Sequence, residues 1–131
     1  MSGDASLIRL ELDMPTEARI DAPLALTLRL VNGHDHAVEI TLRGRTIAFD
    51  VVVRRRGGAV VWRRLENAAI PAIARLEVLG PREVLTLRTV WDLTTNDGAP
   101  ALAGEYLVEG VLFTDGPDLR TPPAALRLAP P

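Results

Sequence analysis

The segment IAFDVVVRRRGGAVVWRR, residues 47–64, predicts a β-hairpin, and this hairpin decides the fold. Gly57 and Gly58 lie at its centre, and glycine readily takes the positive φ angles that a primed two-residue turn requires. Such a turn places Val53 opposite Trp62, and side chains then alternate between two faces. The core face is predicted to consist of Ile47, Phe49, Val51, Val53, Val60 and Trp62. The other face carries Asp50, Arg54, Arg56 and Arg63, which a slip of one residue would bury, so turn and pattern predict the same register.

Alternation of apolar and polar residues continues on both sides of the hairpin. It marks further half-buried strands at residues 8–12, 24–30, 38–42, 84–91, 106–113 and 119–128. Residues 65–80 are less regular, because Pro71 breaks any long helix, although residues 72–76 fit a single helical turn. Seven to nine short strands separated by turns predict an all-β fold, an immunoglobulin-like antiparallel β-sandwich.

The large aromatic residues support this prediction. In such sandwiches a tyrosine at the start of the penultimate strand hydrogen-bonds a backbone group upstream, and Gly104-Glu105-Tyr106 stands at that place. We expect Phe49, Trp62, Trp91 and Tyr106 to converge between the two sheets. Asp50 and Asp92 each follow a large aromatic residue, and we expect their carboxylates to accept hydrogen bonds from backbone N–H groups.

Composition limits the chemistry. The 131 residues are enough for one domain with its own core, predicted over about residues 7–128. Neither cysteine nor lysine is present, so thiol, Schiff-base and Ser–Lys chemistry are excluded. A net charge of −2 gives no long-range attraction to nucleic acid or to a membrane. The N-terminus lacks the basic and apolar regions of a signal peptide, so we expect a cytoplasmic protein.

The candidate chemical sites are weak. The serines, Ser2 and Ser6, lie outside any nucleophile motif, and the acidic residues mostly occupy exposed strand positions and turns. Gly57-Gly58 precedes a strand rather than a helix, so no phosphate loop is present. We therefore expect no enzyme activity and no cofactor. His34 and His36 flank Asp35, but we interpret this segment as a solvated loop and expect no metal site. The hairpin arginines at positions 54–56, 63 and 64 are able to bind an acidic partner or nucleic acid. No exposed aromatic residues are interleaved with them, so we interpret them as a solvated edge that blocks aggregation.

Two long connections, residues 66–80 and 94–103, remain as candidate binding loops, because loops on a rigid sandwich often carry the binding residues. Ile70, Ile73, Leu76 and Leu102 are their large apolar residues. These side chains either tuck under the sandwich or form an exposed binding surface. For Leu76 the tucked position is favoured.

Taken in order, the landmarks resemble the bacterial intracellular proteinase inhibitor family of the BsuPI type. The matches are residues 32–38, Phe49-Asp50-Val51, Val61-Trp62, Trp91-Asp92 and Gly104-Glu105-Tyr106-Leu107-Val108-Glu109-Gly110. This sequence departs from the family at Gly80-Pro81-Arg82-Glu83, where the family has Pro-Gly-Glu, and in residues 63–79, which lack an expected phenylalanine.

The resemblance implies a protein that binds and inhibits a cytoplasmic subtilisin-like serine protease. The partner-binding residues would lie in the two connections, and we assign them to Gly98, Ala99, Pro100, Leu102, Ile70 and Ile73. The alternative is a non-catalytic immunoglobulin-like interaction domain with another protein partner. Phe49, Asp50, Trp62, Trp91, Asp92, Gly104 and Tyr106 are structural landmarks in either case.

Overall fold

The computed structural model describes residues 7–44, 47–66 and 73–130. Within these ranges every regular element is a β-strand, and no helix is present that is long and apolar enough to cross a membrane. The strands are β1 (Ile8–Asp13), β2 (Glu17–Arg19), β3 (Leu24–Asn32), β4 (Val38–Arg43), β5 (Phe49–Arg55), β6 (Val60–Arg63), β7 (Ala74–Leu79), β8 (Val84–Trp91), β9 (Gly104–Leu112), β10 (Leu119–Arg120) and β11 (Ala124–Ala129).

The strands form two main sheets and one separate pair. One sheet has the order β1-β3-β8, and the other has the order β2-β11-β9-β5-β6, with β10 also paired to β9. Strands β4 and β7 pair with each other. All pairs are antiparallel except β2 with β11. This arrangement confirms the all-β, immunoglobulin-like sandwich that the sequence predicts.

The core lies between the two main sheets. Leu24, Leu26, Leu28 and Leu30 of β3 point inward, and none is more than 4% exposed. The aromatic residues converge on the same core, as predicted. The rings of Trp62 and Trp91 stack at 5.6 Å, and those of Trp91 and Tyr106 meet edge to face at 6.2 Å. Phe49 is also buried in this cluster.

Within the described ranges the chain has eleven strands rather than seven to nine. Strand β2 was not predicted, and two further segments form differently from their predictions. Pro122 and Pro123 donate no backbone hydrogen bonds and divide the segment at residues 119–128 into β10 and β11. The suggested helical turn near residue 76 is wrong, because residues 74–79 pair with β4 along its whole length. Long-range pairing has here overridden the local pattern.

The central hairpin keeps the predicted register but has a different turn. Val53 pairs with Trp62 as expected. The Arg55 N–H donates to the Ala59 carbonyl (3.0 Å), however, so the loop has three residues, and of its two glycines only Gly57 has a positive φ, of 72°. A bulge after Val53 compensates for the extra residue. Val60 consequently faces outward and is 45% exposed, so its predicted place in the core is wrong.

Candidate functional site

The loop at residues 92–103, which joins β8 to β9, is anchored to the core at its start. The Asp92 carboxylate accepts hydrogen bonds from the Thr94 N–H (3.2 Å) and the Thr94 hydroxyl (2.6 Å). The Trp91 indole N–H donates to the Thr94 carbonyl (2.8 Å). Leu93 lies between them with a φ of 63° and is buried. A left-handed leucine costs about 1–3 kcal/mol, and such strain is often found at functional sites.

The tip of this loop is a tight hairpin. The Thr95 N–H donates to the Ala99 carbonyl (2.7 Å), and the Gly98 N–H donates to the Thr95 carbonyl (3.0 Å). Gly98 has a φ of 91°, which favours glycine. The Asp97 carboxylate accepts a hydrogen bond from the Thr95 hydroxyl. Gly98, Ala99 and Pro100 are exposed at the tip.

Both loop carboxylates are held in their charged form. Hydrogen bonds from Thr94 lower the pKa of Asp92, and those from Thr95 and Ala99 lower the pKa of Asp97. A depressed pKa means that these bonds are fully present above the ordinary pKa of an aspartate. They are lost only as the pH falls through the lowered value. Both carboxylates can therefore accept these hydrogen bonds at neutral pH.

Asn96 fixes the loop to the edge of the larger sheet. Its N–H donates to the Val61 carbonyl (3.1 Å), its side-chain oxygen accepts from the Arg63 N–H (2.7 Å), and its side-chain NH₂ donates to the Arg63 carbonyl (3.1 Å). Strand β6 is the edge strand of that sheet. Asn96 thus satisfies backbone groups that would otherwise be open to pairing with another chain.

Tyr106 fixes the other end of the loop. Its hydroxyl donates to the Leu102 carbonyl (2.6 Å), which confirms the predicted corner. Gly104, two residues before it, has a φ of 147°. The Leu102 side chain points outward and is 60% exposed, whereas Ala101 beside it is buried. Leu102 is therefore an exposed apolar side chain on a backbone that is fixed on both sides.

The structure brings together four of the six predicted partner-binding residues. Gly98, Ala99, Pro100 and Leu102 belong to this loop, and Ile70 lies outside the described residues. Ile73 is exposed elsewhere, where its carbonyl accepts from the Gly44 N–H (2.8 Å).

Ile73 lies far from the loop, because it is hydrogen-bonded to the chain at the end of β4. Arg43, the last residue of β4 and the neighbour of Gly44, donates its N–H to the Phe113 carbonyl, just after the end of β9. The loop at residues 92–103 lies at the other end of β9, before its first residue. Nine residues of extended strand separate these ends by about 27 Å.

Leu76, for which a tucked position was favoured, is 59% exposed on the outer side of β7, so that expectation is wrong.

Asp50 makes the expected backbone hydrogen bonds and one contact that was not predicted. Its carboxylate accepts from the N–H groups of Val51 (2.8 Å) and Leu65 (3.1 Å). It also accepts from Arg63 through Nε (2.9 Å) and Nη2 (2.6 Å). Asp50 is fully buried. The hairpin register places both side chains on the outer face, so this ion pair was within reach of sequence reasoning.

The histidine segment is solvated at Asp35 and His36, as interpreted, but not at His34. His34 is only 5% exposed, and its ring lies 4.8 Å from that of the exposed His36. Asn32, which is buried, holds this segment: its side-chain NH₂ donates to the carbonyls of His36 (2.9 Å) and Gly80 (2.9 Å), and its oxygen accepts from the His34 N–H (2.9 Å). In the described part of the chain, no three His, Cys, Asp or Glu side chains are grouped to hold a metal.

Comparison with known proteins bears on the fold alone. No protein-family model matches the sequence, and no curated protein matches it. The sporulation control protein Spo0M from Bacillus subtilis is similar in structure, with a TM-score of 0.54 and 12% identity over 95% of this chain. This chain spans about half of that protein, 49%.

Two further solved structures have lower TM-scores. The CARDB domain of the PF1109 protein from Pyrococcus furiosus has a TM-score of 0.49 at 13% identity, covering 93% of this chain and 87% of that one. The β-glucosidase EmGH1 from Erythrobacter marinus has a TM-score of 0.46 at 13% identity, covering 92% of this chain and 15% of that one.

Proposed function

We propose that this chain is a non-catalytic binding domain of the cytoplasm that regulates a subtilisin-like serine protease through the loop at residues 92–103. The observation that carries the proposal is the fixed conformation of this loop. Hydrogen bonds of Asp92, Asn96 and Tyr106 hold its start, its middle and its end. A loop that is already ordered loses little conformational entropy on binding. The resemblance to the BsuPI type supplies the class of target.

The shape of the loop bears on how such a regulator would act. The tip is closed by the bridge between Thr94 and Pro100 and is a tight turn rather than an extended strand. We therefore propose that it contacts the protease without offering a scissile bond. Leu102, exposed beside the turn, is the apolar side chain that enters the contact.

The test measures hydrolysis of a peptide substrate by a purified intracellular subtilisin-like protease, with and without this protein. We expect slower hydrolysis while the protein stays uncut on a gel. Leu102→Ala removes an exposed side chain, so stability should be unchanged, whereas inhibition should weaken at least about tenfold. Val90→Ala is the matched control, because Val90 is also 60% exposed but lies on β8, in the smaller main sheet.

Three results would contradict the proposal. Hydrolysis at an unchanged rate in the presence of excess protein would exclude the protease target and leave an interaction domain with another partner. Equal losses for Leu102→Ala and Val90→Ala would exclude the loop as the contact. Cleavage within residues 94–102 during the assay would show a substrate-like mode of binding instead.

A further inference from the structure

The outer face of the larger sheet carries a second surface, which we call the arginine face. Apolar residues at its centre are flanked by arginines, and the pairing of β5, β6, β9 and β10 places them side by side. Across the sheet, Val52 lies between Arg63 and Glu109, Leu107 lies beside Arg54, and Val111 lies between Asp50 and Arg120. Although Val52 and Val111 point outward, they are only 8% and 3% exposed. Arginine side chains cover apolar surface with their stems while the charged group stays in water.

Only some of the guanidinium N–H donors of these arginines are bound within the face. Arg63 is bound by Asp50 through two nitrogens. Glu109 is shared, with its Oε1 3.9 Å from Arg54 Nη2 and 3.6 Å from Arg120 Nη1. Neither distance is that of a hydrogen bond. Each guanidinium has five N–H donors, so Arg54 and Arg120 can bind a further carboxylate.

The charge of the face is opposite to that of the molecule. Three guanidinium groups accompany two carboxylates, so the arginine face has a net charge of +1, on a chain whose formal net charge is −2. Asp50 is fully buried and the Glu109 side chain is 19% exposed, whereas the side chains of Arg54, Arg63 and Arg120 are 43%, 45% and 57% exposed. The exposed charge on this face is therefore positive.

For Arg54 and Arg63, these observations change the interpretation from a solvated strand edge to a solvated sheet face. Asn96 covers the edge of β6, and Arg54 and Arg63 lie on the face of the sheet. Arginine is enriched at protein–protein interfaces and among their hot-spot residues. A surface for single-stranded nucleic acid would combine positive charge with aromatic side chains for stacking, and the residues that form this face include none.

We propose that the arginine face binds an acidic segment of a partner protein. In this arrangement two carboxylates of the segment pair with Arg54 and Arg120, on either side of Glu109. An apolar side chain next to the carboxylate at Arg54 lies over Leu107. The proposal does not depend on the protease target, because the loop at residues 92–103 is a separate surface, joined to this one by the hydrogen bonds of Asn96 to the backbone of Arg63.

The test titrates the full chain into a fluorescein-labelled ten-residue peptide of alternating glutamate and valine and follows anisotropy at low and at physiological salt. We expect saturable binding that weakens as salt rises. Arg54→Gln with Arg120→Gln should raise the Kd at least tenfold. Arg9→Gln with Arg88→Gln is the matched control, because it changes the net charge equally on the outer face of the other sheet, and it should change the Kd less than twofold.

A third variant, Glu109→Gln, should change the Kd in the opposite direction. Glu109→Gln removes the carboxylate that competes for Arg54 and Arg120, so it should lower the Kd even if the double arginine variant fails to fold. Equal losses in the two double variants, or no saturable binding by the wild type, would overturn the proposal. Tighter binding of a ten-nucleotide single-stranded DNA that needs the same arginines would also overturn it and assign the face to nucleic acid.

Discussion

At the scale of single residues, Asp50 shows how a charge is stabilised inside this fold. It lies on the outer face of β5 and is nevertheless fully buried. Burying a carboxylate is costly unless its oxygens are paired. Here two backbone N–H groups and the guanidinium of Arg63 supply the pairing. Asp50 thereby joins β5, β6 and the chain that leaves β6.

Replacing Asp50 by alanine should therefore be strongly destabilising. The change leaves the N–H groups of Val51 and Leu65 without their acceptor, and each unpaired buried donor costs about 1–3 kcal/mol. The Arg63 side chain also loses its partner, but it is 45% exposed and can be solvated. Urea unfolding followed by tryptophan fluorescence measures the loss. Glu105→Ala is the control, since Glu105 is exposed and lies 3.9 Å from Arg56, and it should cost less than about 1 kcal/mol. Similar losses for both variants would contradict this account of Asp50.

At the scale of elements, the distance between the two sheets depends on Gly110 of β9. The inward positions of β9 are Tyr106, Val108, Gly110 and Leu112. At Gly110 the missing side chain makes room for Leu28 of β3 in the opposite sheet. A Cβ at this position would overlap Leu28 Cδ2 and lie 3.1 Å from its Cδ1. The glycine is therefore needed for close packing of the sheets.

Gly110→Ala should destabilise the protein by about 1–3 kcal/mol, because the core has to move to admit one methyl group. Thermal unfolding followed by circular dichroism measures the change. Gly116→Ala is the matched control, since the nearest atom to its Cβ would be Thr114 Oγ1 at 3.9 Å, and its cost should stay within about 0.5 kcal/mol. An unchanged melting temperature for Gly110→Ala would mean that Leu28 repacks at little cost.

At the scale of the whole molecule, the sequence predicts what depends on short-range patterns and misses what depends on distant pairing. The alternation in β3 and the position of Tyr106 predict the two-sheet core and its corner. The exposure of Val60 was missed because it depends on which turn the two glycines form. The bonds of Asn96 to Arg63 join residues 33 apart in the sequence, and those of Asn32 to Gly80 join residues 48 apart, so no local pattern marks them. The candidate loop was predicted as a segment, but its fixed conformation was not.

The arrangement of the strands also predicts how stability is distributed over the molecule. The pair β4–β7 lies outside the two main sheets, and Leu76 and Val78 of β7 are 59% and 55% exposed. Asn32 connects it to β3 through bonds to the carbonyls of Leu79 (3.2 Å) and Gly80 (2.9 Å). Regions with few buried apolar contacts open at lower free energy than the core. We therefore expect the amides of β7 to exchange with deuterium faster than those of β9.

Asn32→Ala should increase this difference, because the buried carbonyls of Leu79 and Gly80 lose their donor, at a cost of about 1–3 kcal/mol. Hydrogen exchange followed by NMR should then show faster exchange along β7 than in the wild type, with a smaller change along β9. Asn96→Ala is the matched control, since it removes side-chain bonds only to the backbone of Arg63 and should speed exchange in β6. If β7 exchanged as slowly as β9 in the wild type, the pair would be part of one cooperative core, because only global unfolding would then expose its amides.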